Sequence, residues 1–531
     1  WTFNNNTINP KRFFLKGIAF PTPPPGQRAA NRKKNIRNNN AVATTAGDER
    51  DLSGWNAVLE QLASETDINT VRVYEMDCRY DYSKFLERAA ELGIYVIVPL
   101  TSRIDGGVLR RDAAYPLCFP RRLQKYGVTC LERYWDHPNV LAGMVGNEIM
   151  NDLGAWGSAP CVKAYLNHLA ARGRKLGERS ESTPTARTVL PLMYATQHDS
   201  PVAEFHPDEA VKLTLDYLTC NDDGVKDDGV LDNAFIFGIN IESWCSSLQS
   251  FEYEEGGMEE STYHSLWMTM AGGNKTKTIM DAVTGETTTV QVQSVTPLPV
   301  SIPVVFSEMG CSKKAFNKDN NARGLKMVRD WKQISLVQEN GPMSDMFSGF
   351  VAYGYDGGGN SNFRMTGGQD DPPWDGKHPL PPSPDYDNFR AELSKNVEEM
   401  NSVRITTPSK SGQREGDTII TAPSCQRTVA TLNKVWGVDL QSISAVTFYT
   451  SLSQLQVDVL RHGVERLSGS YGYMMPVVTA GALTVLLIIL SSNLSKRRRV
   501  NHVLLLRDTN RELSKTYGTC EKIKELRTTK I

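Results

Sequence analysis

Two glutamates stand at the ends of apolar runs, where acid–base chemistry on a sugar would need them. Glu148 ends the run VLAGMVGNE, and Glu308 lies near the end of IPVVFSEMG. Two carboxyls facing one pocket are the minimal apparatus of glycoside hydrolysis, because one protonates the leaving oxygen and the other attacks the anomeric carbon or activates water. Asn147 is placed to hydrogen-bond a sugar 2-hydroxyl. A lone glutamate at a strand end is more often a helix cap or an ion-pair partner, so the prediction rests on the pair.

Aromatic and acidic side chains follow the ends of similar apolar runs. The candidate sugar-binding residues among them are Tyr74, Trp244, Tyr353, Tyr355, Glu242 and Asp105. Sugar rings pack on aromatic faces, and an acidic cleft suits a neutral carbohydrate better than a phosphate. The alternative for the aromatic residues is core packing. The sequence shows no Gly-rich phosphate loop and no convincing His/Cys metal spacing, so we predict neither a cofactor nor a metal.

Eight short apolar, β-branched runs must position these residues. They occupy 13–20, 69–76, 95–100, 140–148, 188–197, 234–241, 302–310 and 347–355. Several are apolar on both faces, as parallel strands covered by helices are, and helical stretches lie between them, most clearly 81–92 and 160–177. Eight such units predict an α/β fold, a (β/α)8 TIM barrel with catalytic groups at the C-terminal ends of its strands. A doubly wound open sheet is the competing fold, and the Thr- and Val-rich stretch 275–299 is typical of an inserted hairpin.

The composition is that of a globular protein. The 531 residues are 40% hydrophobic and 22% charged, which excludes a disordered chain, a collagen-like chain and a coiled coil. A net charge of −1 gives no case for nucleic-acid binding. We divide the chain into a catalytic barrel at 10–400, an extension at 401–472, a transmembrane helix at 473–492 and a basic tail at 493–531.

The prediction of a membrane span rests on 17 uncharged residues at 474–490, followed by Lys496, Arg497, Arg498 and Arg499. By the positive-inside rule, this pattern predicts a single-pass plasma-membrane protein with an extracellular catalytic domain and a cytoplasmic tail. The alternative is a buried core helix.

Eight of the nine cysteines precede the apolar run, which fits disulfides on the oxidising side of a membrane. Two possible glycosylation sequences, at Asn5 and Asn274, lie on the same side. Four of the cysteines, Cys78, Cys118, Cys130 and Cys161, allow three pairings, and free buried thiols are the alternative.

Several segments resemble glycoside hydrolase family 72, the β-1,3-glucanosyltransferases that remodel cell-wall glucan. They are VRVYEMD, LGIYVIVPL, DHPNVLAGMVGNEIMND, FGINIESWC, PVVFSEMGC and FVAYGY, in that order between about residues 10 and 360. The resemblance implies a retaining enzyme on a (β/α)8 barrel that cuts β-1,3-glucan internally and transfers the new end to another glucan chain. It places the acid/base on Glu148 and the nucleophile on Glu308.

The resemblance also carries smaller assignments. It implies that the Asn beside the acid/base is Asn147, that a second-strand Tyr is Tyr74, and that an eighth-strand Tyr is Tyr353 or Tyr355. It implies two disulfides, Cys245–Cys311 and Cys220–Cys425. Phe20-Pro21 stands where the family usually has Tyr-Gln, and Glu242 replaces a sixth-strand Tyr. These departures keep two alternatives open, a retaining endo-β-1,3-glucanase and an inactive glucan-binding surface receptor.

Overall fold

The computed structural model describes most of the chain between residues 13 and 395. The described ranges are 13–21, 52–102, 107–111, 113, 115, 117–151, 155–180, 189–198, 207–220, 235–242, 261–270, 275–280, 287–292, 302–310, 328–339, 341–356, 363–367 and 374–395. All of them belong to the first of two compact units, Trp1–Phe448 and Tyr449–Ile531. The predicted extension, transmembrane helix and tail lie outside the described residues. Within those ranges, no helix has the length and apolar character needed to span a bilayer.

Eight parallel strands close into a barrel. In chain order they are β1 (Leu15–Ala19), β2 (Thr70–Arg72), β3 (Tyr95–Pro99), β4 (Val140–Asn147), β5 (Leu192–Gln197), β6 (Phe235–Ile241), β9 (Val304–Met309) and β10 (Phe347–Ala352), with β7 and β8 in the insertion described below. The order around the barrel is β1-β10-β9-β6-β5-β4-β3-β2. The TIM barrel prediction is therefore confirmed, and the open-sheet alternative is wrong because β1 pairs with both β2 and β10.

Two hydrophobic cores stabilise the barrel, one inside it and one around it. Side chains of alternate residues, such as Met193 and Ala195 of β5, fill the barrel interior, because successive residues of a strand point to opposite faces. The larger core lies between the strands and the surrounding helices. Those helices are α1 (Ser53–Glu65), α2 (Ser83–Glu91), α3 (Arg121–Trp135), α4 (Ala159–Ser180), α5 (Pro207–Thr219), α6 (Thr262–Met270), α7 (Ile334–Val337) and α8 (Pro384–Leu393).

Closure of the barrel depends on one glycine of β10. Gly349 has φ +114, and a Cβ there would lie 2.0 Å from the backbone oxygen of Leu15 in β1. Only glycine combines this dihedral with so close an approach of two strands. A larger residue would force the first and last strands apart.

The insertion before β9 is a hairpin, as predicted. Strands β7 (Lys275–Met280) and β8 (Thr287–Val292) pair antiparallel in a sheet of their own. Its β-branched threonines and valines suit strands, and Thr284-Gly285 lies between the two.

The four cysteines whose pairing the sequence left open form two disulfides, Cys78–Cys130 and Cys118–Cys161. The free-thiol alternative is therefore wrong for these four. Cys220 is also disulfide-bonded, and its partner lies outside the described residues. The predicted partners Cys245, Cys311 and Cys425 are all outside the described ranges, so the two pairings implied by the resemblance stay predictions.

Candidate active site

Strands β4 and β9 carry the two glutamates to the same end of the barrel. Glu308 is the fifth residue of β9 and Glu148 directly follows β4. Glu148 has φ 52, a left-handed conformation that is uncommon for a residue with a side chain. Strain of this kind is concentrated at functional sites, where the surrounding structure holds it in place.

Arg72, the last residue of β2, connects the two strand ends across the barrel. Its guanidinium donates to Asn147 Oδ1 at 2.7 Å and to the Ser307 carbonyl at 2.7 Å. It also forms an ion pair with Glu308 Oε1 at 3.1 Å. Because Arg72 is buried (1% exposed), this planar fork fixes the distance and orientation of its partners.

Asn240 of β6 makes the second connection. Its amide nitrogen donates to Glu148 Oε1 at 2.7 Å and to Asn147 Oδ1 at 3.0 Å. Its own oxygen accepts from the Ser307 hydroxyl at 2.6 Å. Glu148 is therefore oriented by the same network that holds Glu308.

The two carboxyls have different environments. Burial raises the pKa of Glu308 to about 7, although the Arg72 charge opposes this, and the nearby Glu148 carboxyl adds to the rise. Glu148 is half-buried and accepts the Asn240 hydrogen bond. A raised pKa by itself suits a general acid, so the roles of the two glutamates are taken from the family resemblance and not from the pKa of Glu308.

The three predicted tyrosines separate into two site residues and one packing residue. The Arg72 guanidinium lies over the Tyr74 ring, 4.5 Å from its centroid, and Tyr353 meets that ring edge-on at 6.0 Å. Tyr355 is fully buried, and its hydroxyl donates to Gln61 and accepts from the Leu380 backbone. The structure thus brings Tyr74 and Tyr353 to Glu308 and leaves Tyr355 outside the site, which favours Tyr353 for the eighth-strand role.

Glu242 adds a third carboxyl at the rim. It follows β6 by one residue and is exposed. Partial desolvation raises its pKa, and the Glu148 carboxyl raises it further. Asp105 and Trp244 lie outside the described residues, so their binding roles stay predictions. Among the residues that the structure describes, no group of three or more His, Cys, Asp and Glu side chains is arranged to hold a metal ion.

Sequence reasoning missed Arg72, Asn240 and Ser307. The signal that could have found the first two is the period of two along a strand. Arg72 precedes Tyr74 by two residues, and Asn240 precedes Glu242 by two, so each shares the inward face of a predicted rim residue. Ser307 had no such signal, because its role depends on a neighbour in another strand.

Comparison with known proteins places this geometry in a family. The family model described as glucanosyltransferase, Glyco_hydro_72, matches residues 2–271, half of the chain. The chain belongs to glycoside hydrolase family 72. The resemblance read from the sequence motifs is therefore confirmed.

The relatives are distant. Protein EPD1 of Candida maltosa is 24% identical over 349 residues, 65% of this chain and 46% of the relative. The probable 1,3-beta-glucanosyltransferase GAS3 of Saccharomyces cerevisiae is 25% identical over 296 residues, 54% of this chain and 44% of the relative. The chain thus spans about half the length of these curated relatives. A structure of Saccharomyces cerevisiae Gas2p in complex with laminaripentaose has a TM-score of 0.44 and 21% identity, covering 74% of this chain and 68% of that chain.

Proposed function

We propose that this protein is a retaining β-1,3-glucanosyltransferase, with Glu308 as the nucleophile and Glu148 as the acid/base. The observation that carries the proposal is the network through Arg72 and Asn240, which holds both carboxyls at one end of the barrel. Retaining enzymes keep their two carboxyls about 5–5.5 Å apart. Family membership and relatives named 1,3-beta-glucanosyltransferase support the substrate class.

The reaction proceeds in two displacements. Glu308 attacks the anomeric carbon while Glu148 gives its proton to the glycosidic oxygen, so one glucan fragment leaves and the other becomes a glycosyl ester of Glu308. Glu148, now ionised, removes a proton from the hydroxyl of a second glucan chain, which attacks the same carbon and releases Glu308. Asn147 lies beside Glu148, where it can bond the 2-hydroxyl of the sugar being transferred.

A retaining endo-β-1,3-glucanase is the second candidate, and Pro21 favours it. Pro21 follows β1 on the same inward face as Ala19, which lies in the barrel interior. Its ring offers no hydrogen bond to a sugar, where the resemblance expects a Gln. Water would be the acceptor in that enzyme.

Product sizes distinguish these activities. The purified full-length chain is incubated with a reduced β-1,3-gluco-oligosaccharide, and the products are sized by chromatography. Transfer gives products both shorter and longer than the substrate, hydrolysis gives only shorter ones, and a binding-only receptor gives none. We expect Glu308→Gln to abolish turnover and Glu60→Gln, an exposed glutamate of α1, to preserve it. Full activity in Glu308→Gln would refute the catalytic assignment.

We also propose that residues 473–492 anchor the protein in the plasma membrane with the catalytic barrel outside the cell. The 17 uncharged residues at 474–490 and the basic cluster at 496–499 support this proposal. An enzyme acting on cell-wall glucan needs this orientation.

A further inference from the structure

A transferase must hold a second sugar at the place where water would otherwise attack, and this requirement rests on the proposed function. The acceptor hydroxyl must reach Glu148, because the acid/base removes its proton. The leaving fragment departs from the same side. Residues that bind the acceptor therefore lie beside Glu148, away from the nucleophile.

Strand β5 supplies a polar side chain at this position. β5 is the neighbour of β4 in the barrel, and its last residue, Gln197, pairs with Asn240 of β6. Gln197 shares the inward face of β5 with Met193 and Ala195, which fill the barrel interior below it. It is half-buried and lies next to the asparagine that orients Glu148.

Asn151 fixes the direction of the Gln197 amide. The Asn151 amide nitrogen donates to Gln197 Oε1 at 3.4 Å. The Gln197 amide oxygen accepts this hydrogen bond, so the two hydrogens on its Nε2 remain available to another group. No described residue accepts from them. The oxygen of Asn151 is buried and also lacks a hydrogen-bond partner. The Asn151 oxygen is thus an exception to the rule that buried polar groups are nearly always hydrogen-bonded, and it leaves the amide pair with unused hydrogen-bonding capacity.

We propose that Gln197, held by Asn151, binds the acceptor glucan and favours transfer over hydrolysis. Its Nε2 donates to a hydroxyl oxygen of the incoming sugar and so turns the attacking hydroxyl toward Glu148. This contact does not favour attack by water, because a water molecule has no second hydroxyl through which Gln197 could orient it. Gln197 touches the acceptor, and Asn151 is a positioning residue that acts through it.

The test compares the ratio of transfer products to hydrolysis products in the full-length chain. Gln197→Met keeps the length of the side chain and removes its donors, so we expect the ratio to fall about fivefold to tenfold, the effect of one neutral hydrogen bond. Thr196→Val is the matched control, because Thr196 is buried on the opposite, helix-facing side of β5. The control should keep the wild-type ratio.

Asn151→Asp separates positioning from structural support. A carboxylate at 151 accepts from Gln197 Nε2, so the pair stays bonded while the amide turns its oxygen to the acceptor. We expect the transfer ratio to fall as in Gln197→Met with the melting temperature preserved. An unchanged ratio in both variants, with the wild type transferring, overturns this inference alone. A wild type that processes no β-1,3-glucan overturns the proposed function and this inference with it.

Discussion

At the scale of single residues, burial and one guanidinium have opposite effects on the charge of Glu308. Glu308 is only 7% exposed, and the Arg72 guanidinium lies 3.1 Å from its Oε1. Burial outweighs the ion pair, since the pKa of Glu308 rises to about 7. A nucleophile must be ionised, and with a pKa of about 7 only part of the Glu308 population is ionised at neutral pH.

The first prediction is an acid limb in the pH profile. Below pH 7 Glu308 is increasingly protonated and unable to attack, so kcat/KM should fall about tenfold per pH unit. Removing the guanidinium in Arg72→Met raises the pKa of Glu308 further and should move the limb to higher pH. The profile is measured with a reduced β-1,3-gluco-oligosaccharide at constant ionic strength. A limb at about pH 4–5 would contradict the raised pKa of Glu308 and leave the catalytic assignment to the Glu308→Gln test.

The second prediction concerns stability. The pKa of Glu308 is about 7 when folded and about 4.3 when unfolded, so the folded state holds the extra proton between these values. The contribution of Glu308 to the free energy of unfolding is fully present below about pH 4.3 and is lost as the pH rises through 7. Glu308→Gln removes that loss and should be more stable than the wild type by up to about 3 kcal/mol at pH 8, and by little at pH 4.

Urea unfolding at both pH values checks this second prediction. Glu60→Gln, which changes an exposed glutamate, should show no such pH dependence. A Glu308→Gln variant that gains nothing at pH 8 would show that the buried carboxyl costs the fold no stability.

The sequence alone predicts those site residues whose reactive side chains stand at the end of a strand. Glu148 and Glu308 stand out because each interrupts an apolar run just before a loop. Arg72 and Asn240 are polar residues within apolar strands; the period of two places each on the inward face of a rim residue, but their partners depend on which strands meet in the closed barrel. Tyr355 was predicted at the rim because it follows β10, yet it turns outward to Gln61, and no pattern in its own strand indicates this.

At the scale of elements, the eight strands follow from their apolar β-branched runs. In the structure the strands are shorter than the predicted runs. The difference is largest for β2, which comprises only Thr70–Arg72 of the predicted 69–76. The trimmed residues Val73–Met76 begin the loop that carries Tyr74, so the apolar pattern continues past the last strand pairing. Pairing depends on neighbouring strands and cannot be read from one run.

The third prediction is that each disulfide stabilises the βα units that it joins. Cys78–Cys130 ties the loop after β2 to α3 across 52 residues, and Cys118–Cys161 joins the segment before α3 to α4 across 43. Closing loops of this length restricts the unfolded chain, so replacing either pair by alanine should lower the free energy of unfolding by about 2–4 kcal/mol. Denaturation of each double variant gives the value, and the wild type in reductant is the comparison. An unchanged midpoint would show that the crosslinks add no stability.

At the scale of the whole molecule, charge is divided unevenly along the chain. Residues 491–531 contain 11 Lys/Arg and four Asp/Glu, a net charge of +7, which leaves −8 for the first 490 residues. A basic segment directly after an uncharged run is attracted to anionic cytoplasmic lipid.

The fourth prediction is that the full chain is an integral membrane protein with its C-terminus in the cytosol. In cells, alkaline carbonate should leave it in the membrane pellet and detergent should release it, whereas a chain ending at residue 470 should be secreted. A C-terminal epitope should be cleaved by protease only after permeabilisation. Replacing Lys496–Arg499 with alanines removes the charges that set orientation, so part of the population should then expose the epitope. Carbonate release of the unaltered chain would mean that residues 473–492 are buried in protein rather than lipid.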